Sequence, residues 1–276
     1  MTASQRKNKN GMICDVTDDI KGDCDSLHAC PRPFSIVLVN LDLLGRQVGD
    51  DGPQGIVATC LSDKEKEKFS LFRYDKRKLE WLGGRIAAKY AAWQIRKGGQ
   101  TFSPGMMDFR RLEIAADQAG KPSVSWREKD PVKRQSHISI SHSGNWAAAL
   151  CSTVSCGIDI QYVTPTVERV RERFVTPAED EIVRPISEIY GSRTALTCIW
   201  SAKEAVKKAW CGPRLPGFNE IRINGLQKEG KGIFLTAAVT GKAGEKRTRV
   251  MVWLDPFAEG VLAFTMTDEE ENEKNQ

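Results

Sequence analysis

The sequence predicts an α+β fold arranged as a pseudo-two-fold pair of similar α/β halves, each a small antiparallel sheet packed with helices. Three observations predict it. The chain has 276 residues, 40% of them apolar and 28% charged, which suits one large domain or two small ones with real cores. A set of short motifs recurs in the same order after about 114 residues. Helix-like and strand-like stretches follow one another in the same sequence in both copies.

The repeat is read from three matches. Ser62-Asp63-Lys64-Glu65 and Thr176-Pro177-Ala178-Glu179 each set a hydroxyl ahead of a carboxylate at capping-box spacing, so each opens a helix. Ala87-Ala88-Lys89-Tyr90-Ala91 matches Ser201-Ala202-Lys203-Glu204-Ala205 at the same offset. The strand Ile36 to Asp42 matches Val154 to Asp159 at a slightly longer one. The halves are placed at 34–144 and 145–266, between a polar, patternless tail (1–33) and an acidic tail (267–276), both expected to be disordered. Arg77 to Ile95 reads as a long helix whose Gly83-Gly84 pair implies close packing against another backbone. Thr194 to Trp210 is its equivalent in the second half. Strands follow over 218–226, 232–240 and 247–265, with turns at Gly230, Gly241–Gly244 and Asp255-Pro256.

Composition narrows the function classes. The formal net charge of +5 suits an acidic partner or a phosphorylated ligand. No Lys/Arg tract with interleaved aromatics points to nucleic acid, and Lys64 to Lys68 alternates in sign like a solvated helix face. Phe34 to Leu44 is too short and too polar for a membrane span, and no stretch resembles a signal peptide, so a cytoplasmic protein is expected. Cys14, Cys24, Cys30 and His28 match no common zinc spacing, and free thiols are the better reading.

Two clusters carry chemistry. In Gly157-Ile158-Asp159-Ile160-Gln161, alternation puts Asp159 and Gln161 on one face of an apolar strand, where an acid needs a cation or hydrogen bonds. On the following helix Trp200, Glu204 and Lys208 stack at successive turns, with Lys203 and Lys207 on the adjoining row and Ile199, Val206 and Trp210 toward the core. Two carboxylates with an amide oxygen suit magnesium, and the lysines suit phosphates. The plainer alternatives are a Glu204–Lys208 helix pair worth about 0.3–0.5 kcal/mol and a strand-end role for Asp159. In Ser139-Ile140-Ser141-His142-Ser143-Gly144, neighbouring side chains point to opposite faces, so Ser141 and His142 do not form a nucleophile–base pair. Hydroxyl, imidazole and turn amides suit phosphate oxygens instead; a polar strand end without a ligand is the alternative.

Gly120-Lys121-Pro122, Ile138 to Ser143, Gly157 to Ile160 and Trp200 to Lys208, in that order, resemble the 4′-phosphopantetheinyl transferases, in their long, pseudo-dimeric form known from surfactin-synthetase activation. Trp81-Leu82-Gly83-Gly84-Arg85 resembles the family's glycine-arginine helix. The resemblance covers about residues 34–266. It implies coenzyme A as co-substrate between the two halves and an apo acyl- or peptidyl-carrier protein as partner. It also implies Mg2+ held by Asp159, Gln161 and Glu204. By the same pattern Glu204 and Lys208 are catalytic, and Lys68, Lys121, Ser141, His142, Asp159, Lys203 and Lys208 bind coenzyme A. Lys66 competes with Lys68 for that role, and Arg85 either adds positive charge or packs. Many members have a third carboxylate where this chain has Gln161, which implies weaker metal affinity. A non-catalytic coenzyme A-binding relative, acting as a sensor or scaffold, is the alternative.

In the first half Asp42 stands opposite Asp159, but Tyr90 replaces Glu204, and a neutral phenol is a poor magnesium ligand. One chain is therefore expected to bind one coenzyme A and to work as a monomer. Calorimetric titration should give one site per chain; two equivalent sites, or activity only as an obligate dimer, would contradict this.

Overall fold

A computed structural model describes residues 11–25, 33–51, 55–97, 108–118, 120–127, 136–210, 214–229, 232–239, 248–257 and 259–267. They form two compact units, one built mainly from residues 32–153 and one from 154–276.

The first unit begins with strand β1 (Ile13–Asp15), after which the chain enters helix α1 (Thr17–Asp25). Strand β2 (Phe34–Asn40) leads into helix α2 (Leu41–Asp51), the short α3 (Ile56–Cys60) and α4 (Asp63–Ser70). The long helix α5 (Asp75–Lys97) follows, then the ribbon β3 (Leu112–Ala116) and β4 (Pro122–Trp126) and the hairpin β5 (His137–Ser143) and β6 (Trp146–Ser152). The main sheet is antiparallel with order β1-β2-β6-β5. Its β2 and β6 are almost wholly buried because the Ala-rich face of α5 lies on them. The core joins Val37, Val39 and Leu44 to Leu82, Ile86, Ala91, Leu112 and Ala149.

The second unit opens with β7 (Ser155–Tyr162) and continues through α6 (Thr166–Arg169), α7 (Asp180–Tyr190) and α8 (Ser192–Ala209). Four antiparallel strands complete it: β8 (Ile221–Glu229), β9 (Gly232–Val239), β10 (Thr248–Phe257) and β11 (Gly260–Thr267). The sheet order is β7-β11-β10-β9-β8, and α8 packs on β7, β11 and β10. Ile199, Ala202, Ala205 and Val206 meet Leu235, Val252 and Ala263 in its core. Both units are thus a small antiparallel sheet with an Ala-rich helix across it, as expected.

Four expectations change. Residues 13–15 are not a disordered tail: Cys14 is buried, and Ile13, Cys14 and Asp15 extend the sheet along β2. Cys24, His28 and Cys30, and the acidic stretch beyond Thr267, lie outside the described side chains. The units divide after Thr153 rather than after Gly144, because Gly144 (φ +55°) turns the β5–β6 hairpin and β6 pairs with both β2 and β5. The C-terminal hairpin turns after Phe257, while Asp255 and Pro256 pair with Leu262 and Val261 inside it. Pro256 is tolerated there because β9 stops pairing at Leu254, so no neighbour needs its missing N–H. Asp42 lies exposed in the first turn of α2, where its carboxylate accepts from Asn145 Nδ2 at 2.7 Å, so it is not a strand counterpart of Asp159.

Glycine packing also differs from the expectation. A side chain at Gly83 would meet Leu41 and Ala147, and one at Gly84 would meet Ile140, so this pair admits side chains rather than backbone. The backbone contact is at Gly157. A Cβ there would overlap the carbonyl of Ala205 and come within 2.7 Å of Ala209 N, so β7 runs directly against the α8 backbone. Gly157→Ala is expected to destabilise the protein by about 1–3 kcal/mol or more through overpacking that no rotamer relieves. Urea unfolding followed by circular dichroism should show the loss, and an unchanged midpoint would contradict this contact.

Candidate active site

The same buried knot fixes both long helices. In the second unit Lys203 Nζ, fully buried, lies 2.7 Å from Glu179 Oε1 and donates to the carbonyls of Phe174 (2.6 Å) and Phe218 (3.3 Å). Glu179 Oε1 accepts from Ile223 N at 2.8 Å, and its Oε2 accepts from Thr176 N at 2.8 Å, closing the capping box. In the first unit Lys89 Nζ donates to Glu65, to Cys60 O (2.7 Å) and to Phe109 O (3.1 Å). Glu65 accepts from Ile114 N at 3.1 Å and Ser62 N at 2.9 Å. Burial pulls both ammonium pKa values down, and the paired glutamate opposes that pull.

This placement corrects the role expected for Lys203. Its ammonium has donors' partners on every side and no exposed surface, so it holds the fold and does not reach a ligand. Sequence spacing put it one row from Glu204 without showing that this row faces Glu179.

The half-buried row of α8 is Trp200, Glu204, Lys207 and Lys208. Lys208 Nζ crosses to β7 and donates to Asp159 Oδ1 (2.8 Å) and Ile158 O (2.9 Å). Lys207 Nζ donates to Glu204 Oε1 at 3.1 Å while lying 4.4 Å from the centre of the Phe218 ring. Trp200 packs against Phe174 (5.2 Å, edge-on) and Phe218 (4.7 Å), the residues whose carbonyls hold Lys203. The structure therefore brings Asp159 and Lys208 together and keeps Glu204 one turn away on the same helix. Gln161, two residues along β7, opens onto a cleft of about 110 Å³ also walled by Tyr162, Thr164, Val167, Thr197 and Trp200. The donor set at this face is two carboxylates and one amide oxygen, all hard oxygens, each carboxylate already in contact with a cation. That chemistry fits magnesium. Among the described residues no group of three or more His, Cys, Asp or Glu side chains is placed to hold a metal ion.

The first unit carries the other expected residues. Ser141 is buried on β5, and His142, on the opposite face, is one-third exposed. Lys68 is exposed in the last turn of α4, and Lys121 is half-buried at the start of β4, its amide donating to Asp117 Oδ1 at 2.8 Å. Arg77, missed in the sequence, donates from Nη1 to His142 Nε2 at 3.0 Å. Its signal was legible: Lys76-Arg77-Lys78 sets three cations in the first turn of α5, where the helix dipole disfavours them. Two turns on, Arg85 is buried, lies 4.5 Å over the Trp81 ring, and has an Nε without a hydrogen-bond partner. Desolvation lowers its pKa; Glu65 raises it again and the nearby charge of Arg77 lowers it further. Tyr90, at the repeat position of Glu204, packs against Phe109 at 4.7 Å, and burial raises its hydroxyl to about 12.

Comparison with known proteins decides the family. Residues 155–249 match the model of the 4′-phosphopantetheinyl transferase superfamily. The holo-[acyl-carrier-protein] synthase of Lactococcus lactis subsp. cremoris is 38% identical over 116 residues, 42% of this chain and 92% of the relative. The chain belongs to the 4′-phosphopantetheinyl transferase superfamily. Enterobactin synthase component D of Escherichia coli K12 is 33% identical over 156 residues, 56% of this chain and 65% of that protein. A solved apo-ACPS structure from "Chronobacterium ammoiniagenes" covers 44% of this chain and 94% of its own at 25% identity, with a TM-score of 0.36. The ordered motifs read from the sequence thus name the superfamily correctly, and the matched span contains Asp159, Gln161, Glu204 and Lys208. No helix of this transferase, among the described residues, is long and apolar enough to cross a membrane.

Lys203→Met is expected to cost about 3–5 kcal/mol, because it leaves Glu179 charged and buried without its cation. Glu179→Gln should cost less, since an amide oxygen still accepts from Ile223 N. Chemical denaturation of both variants checks the order; a Lys203→Met protein of wild-type stability would contradict the knot.

Proposed function

We propose that this chain transfers the 4′-phosphopantetheine arm of coenzyme A to a serine of an apo acyl- or peptidyl-carrier protein, releasing adenosine 3′,5′-bisphosphate. The observation that carries the reading is the β7–α8 face, where Asp159, Gln161, Glu204 and Lys208 are held on two elements in backbone contact at Gly157. Superfamily membership supports the same reaction class. Asp159, Gln161 and Glu204 would hold Mg2+, which supplies positive charge to the pyrophosphate when bound.

The remaining work falls to the chain's own groups. Lys208, a compact charge anchored on Ile158 O, offers its ammonium to the pyrophosphate. Arg77, Arg85 and His142, with Ser141, Lys121 and Lys68, supply donors for phosphate oxygens. The cleft beside Gln161, part apolar and part hydroxyl-lined, suits the pantetheine arm. The attacking serine must lose its proton near the transition state, and Glu204 is the carboxylate of this face placed on the solvent-accessible row to take it. Charge neutralisation and positioning supply most of the rate, as in other phosphoryl transfers. The protein acts as a monomer in the cytoplasm.

Incubation with coenzyme A, magnesium and a panel of apo-carriers, read by intact mass, should show the phosphopantetheine adduct. Asp159→Ala and Glu204→Ala should lower turnover at least about a hundredfold, since each removes several kcal/mol of charge stabilisation. Gln161→Glu should remain active and need less magnesium. Near-wild-type turnover by Glu204→Ala would overturn the assignment.

A further inference from the structure

Lys207 of α8 stands between two partners. Its Nζ donates to Glu204 Oε1 at 3.1 Å and lies 4.4 Å from the centre of the Phe218 ring, within the range of a cation–π contact. Among the described residues it is the one cation on Glu204, and both side chains are 23% exposed. The ring does not depend on the ammonium for its place. The carbonyl of Phe218 accepts from the buried Lys203 at 3.3 Å, and its ring packs on Trp200 at 4.7 Å and Phe174 at 6.4 Å. Lys207 therefore has a fixed aromatic surface beside it whether or not it holds Glu204.

The other lysine of this face is held differently. Lys208 Nζ donates to Asp159 Oδ1 at 2.8 Å and also to the Ile158 carbonyl at 2.9 Å, so a backbone acceptor keeps it in place if the carboxylate turns to another cation. Lys207 has no backbone acceptor among the described residues; its oxygen partner is the carboxylate alone. A divalent cation at Asp159, Gln161 and Glu204 needs lone pairs of Glu204 and repels the ammonium 3.1 Å from them. The ring offers that ammonium another seat. Its negative face holds a cation with little directional demand, and at a half-exposed site it is comparable in strength to an ion pair. With an amide at position 161 the face offers two carboxylates, so a lysine on one of them weighs more than it would beside three.

We propose that Lys207 regulates metal occupancy of this face: it competes with the divalent cation for Glu204 and withdraws onto the Phe218 ring when the cation binds. The inference rests on the metal reading given above. Lys207 touches no reacting atom in this role. It raises the metal concentration at which Glu204 is taken, and Phe218 limits that rise. Removing the ammonium tightens metal binding, whereas removing the ring loosens it only while the ammonium is present.

The test is direct binding of Mn2+, a hard cation visible by EPR and standing in for magnesium, to the full-length protein with saturating coenzyme A. Lys207→Met should bind Mn2+ about three- to tenfold more tightly than wild type, and Lys207→Arg, which keeps the charge, should not. Phe218→Leu should bind about two- to fivefold more weakly, and this loss should vanish in the Lys207→Met background. A merely structural part for Phe218 would lower affinity equally in both backgrounds and would overturn the proposal, as would wild-type affinity in Lys207→Met. Weaker coenzyme A binding by Lys207→Met in metal-free buffer would assign the ammonium to the ligand and overturn it too. Unchanged Mn2+ binding by Glu204→Ala would instead defeat the metal reading itself. If Phe218→Leu does not fold, Lys207→Met and Lys207→Arg decide alone, because position 207 lies outside the buried core.

Discussion

The rest of each unit depends on one buried ion pair, Lys203 with Glu179 in the second and Lys89 with Glu65 in the first. Each glutamate caps its own helix start, accepts an N–H from a later strand, and receives the lysine of the long helix. Each lysine donates its other hydrogens to carbonyls of two further segments of the chain. An ion pair removed from water is a poor source of net stability, but it is strongly directional. It specifies where a helix sits along a sheet in a way that an alanine face sliding on apolar strands does not. In the second unit the consequence reaches the half-buried row of α8, because the two carbonyl partners belong to Phe174 and Phe218, whose rings clasp Trp200.

The two units keep this knot and diverge around it. Where the second unit has Glu204, the first has Tyr90 against Phe109. Where the second has the apolar Ile199 in its core, the first has Arg85 stacked on Trp81. The first unit thus carries guanidinium groups on its long helix and an imidazole on β5, and the second carries carboxylates on β7 and α8. Two similar frames thus differ in the side chains around the knot and share the knot itself.

Much of this was legible in the sequence because hydrophobic period, capping boxes and motif order are local properties. The long helices, the alternation that sets Asp159 and Gln161 on one face, and the half-buried row of Trp200, Glu204 and Lys208 all follow from spacing. What spacing could not show was which row of α8 meets Glu179, so Lys203 looked like a ligand group and is a structural one. The Arg77–His142 contact joins residues far apart in the chain, and only the packing of α5 against β5 brings them together. The hairpin turn at Gly144 was seen, but not that its second strand belongs to the first sheet, since either neighbour could have claimed an apolar strand.

The passage of β7 over Gly157 leaves no room for even a methyl group between strand and helix. Variation of this face therefore cannot proceed by easing the two elements apart. The spacing between their side chains is inherited, and only the identity of the donors is open to change. A glutamine at position 161 is the kind of variation such a scaffold permits: one atom exchanged at the tip of a side chain, on a backbone that has nowhere to move.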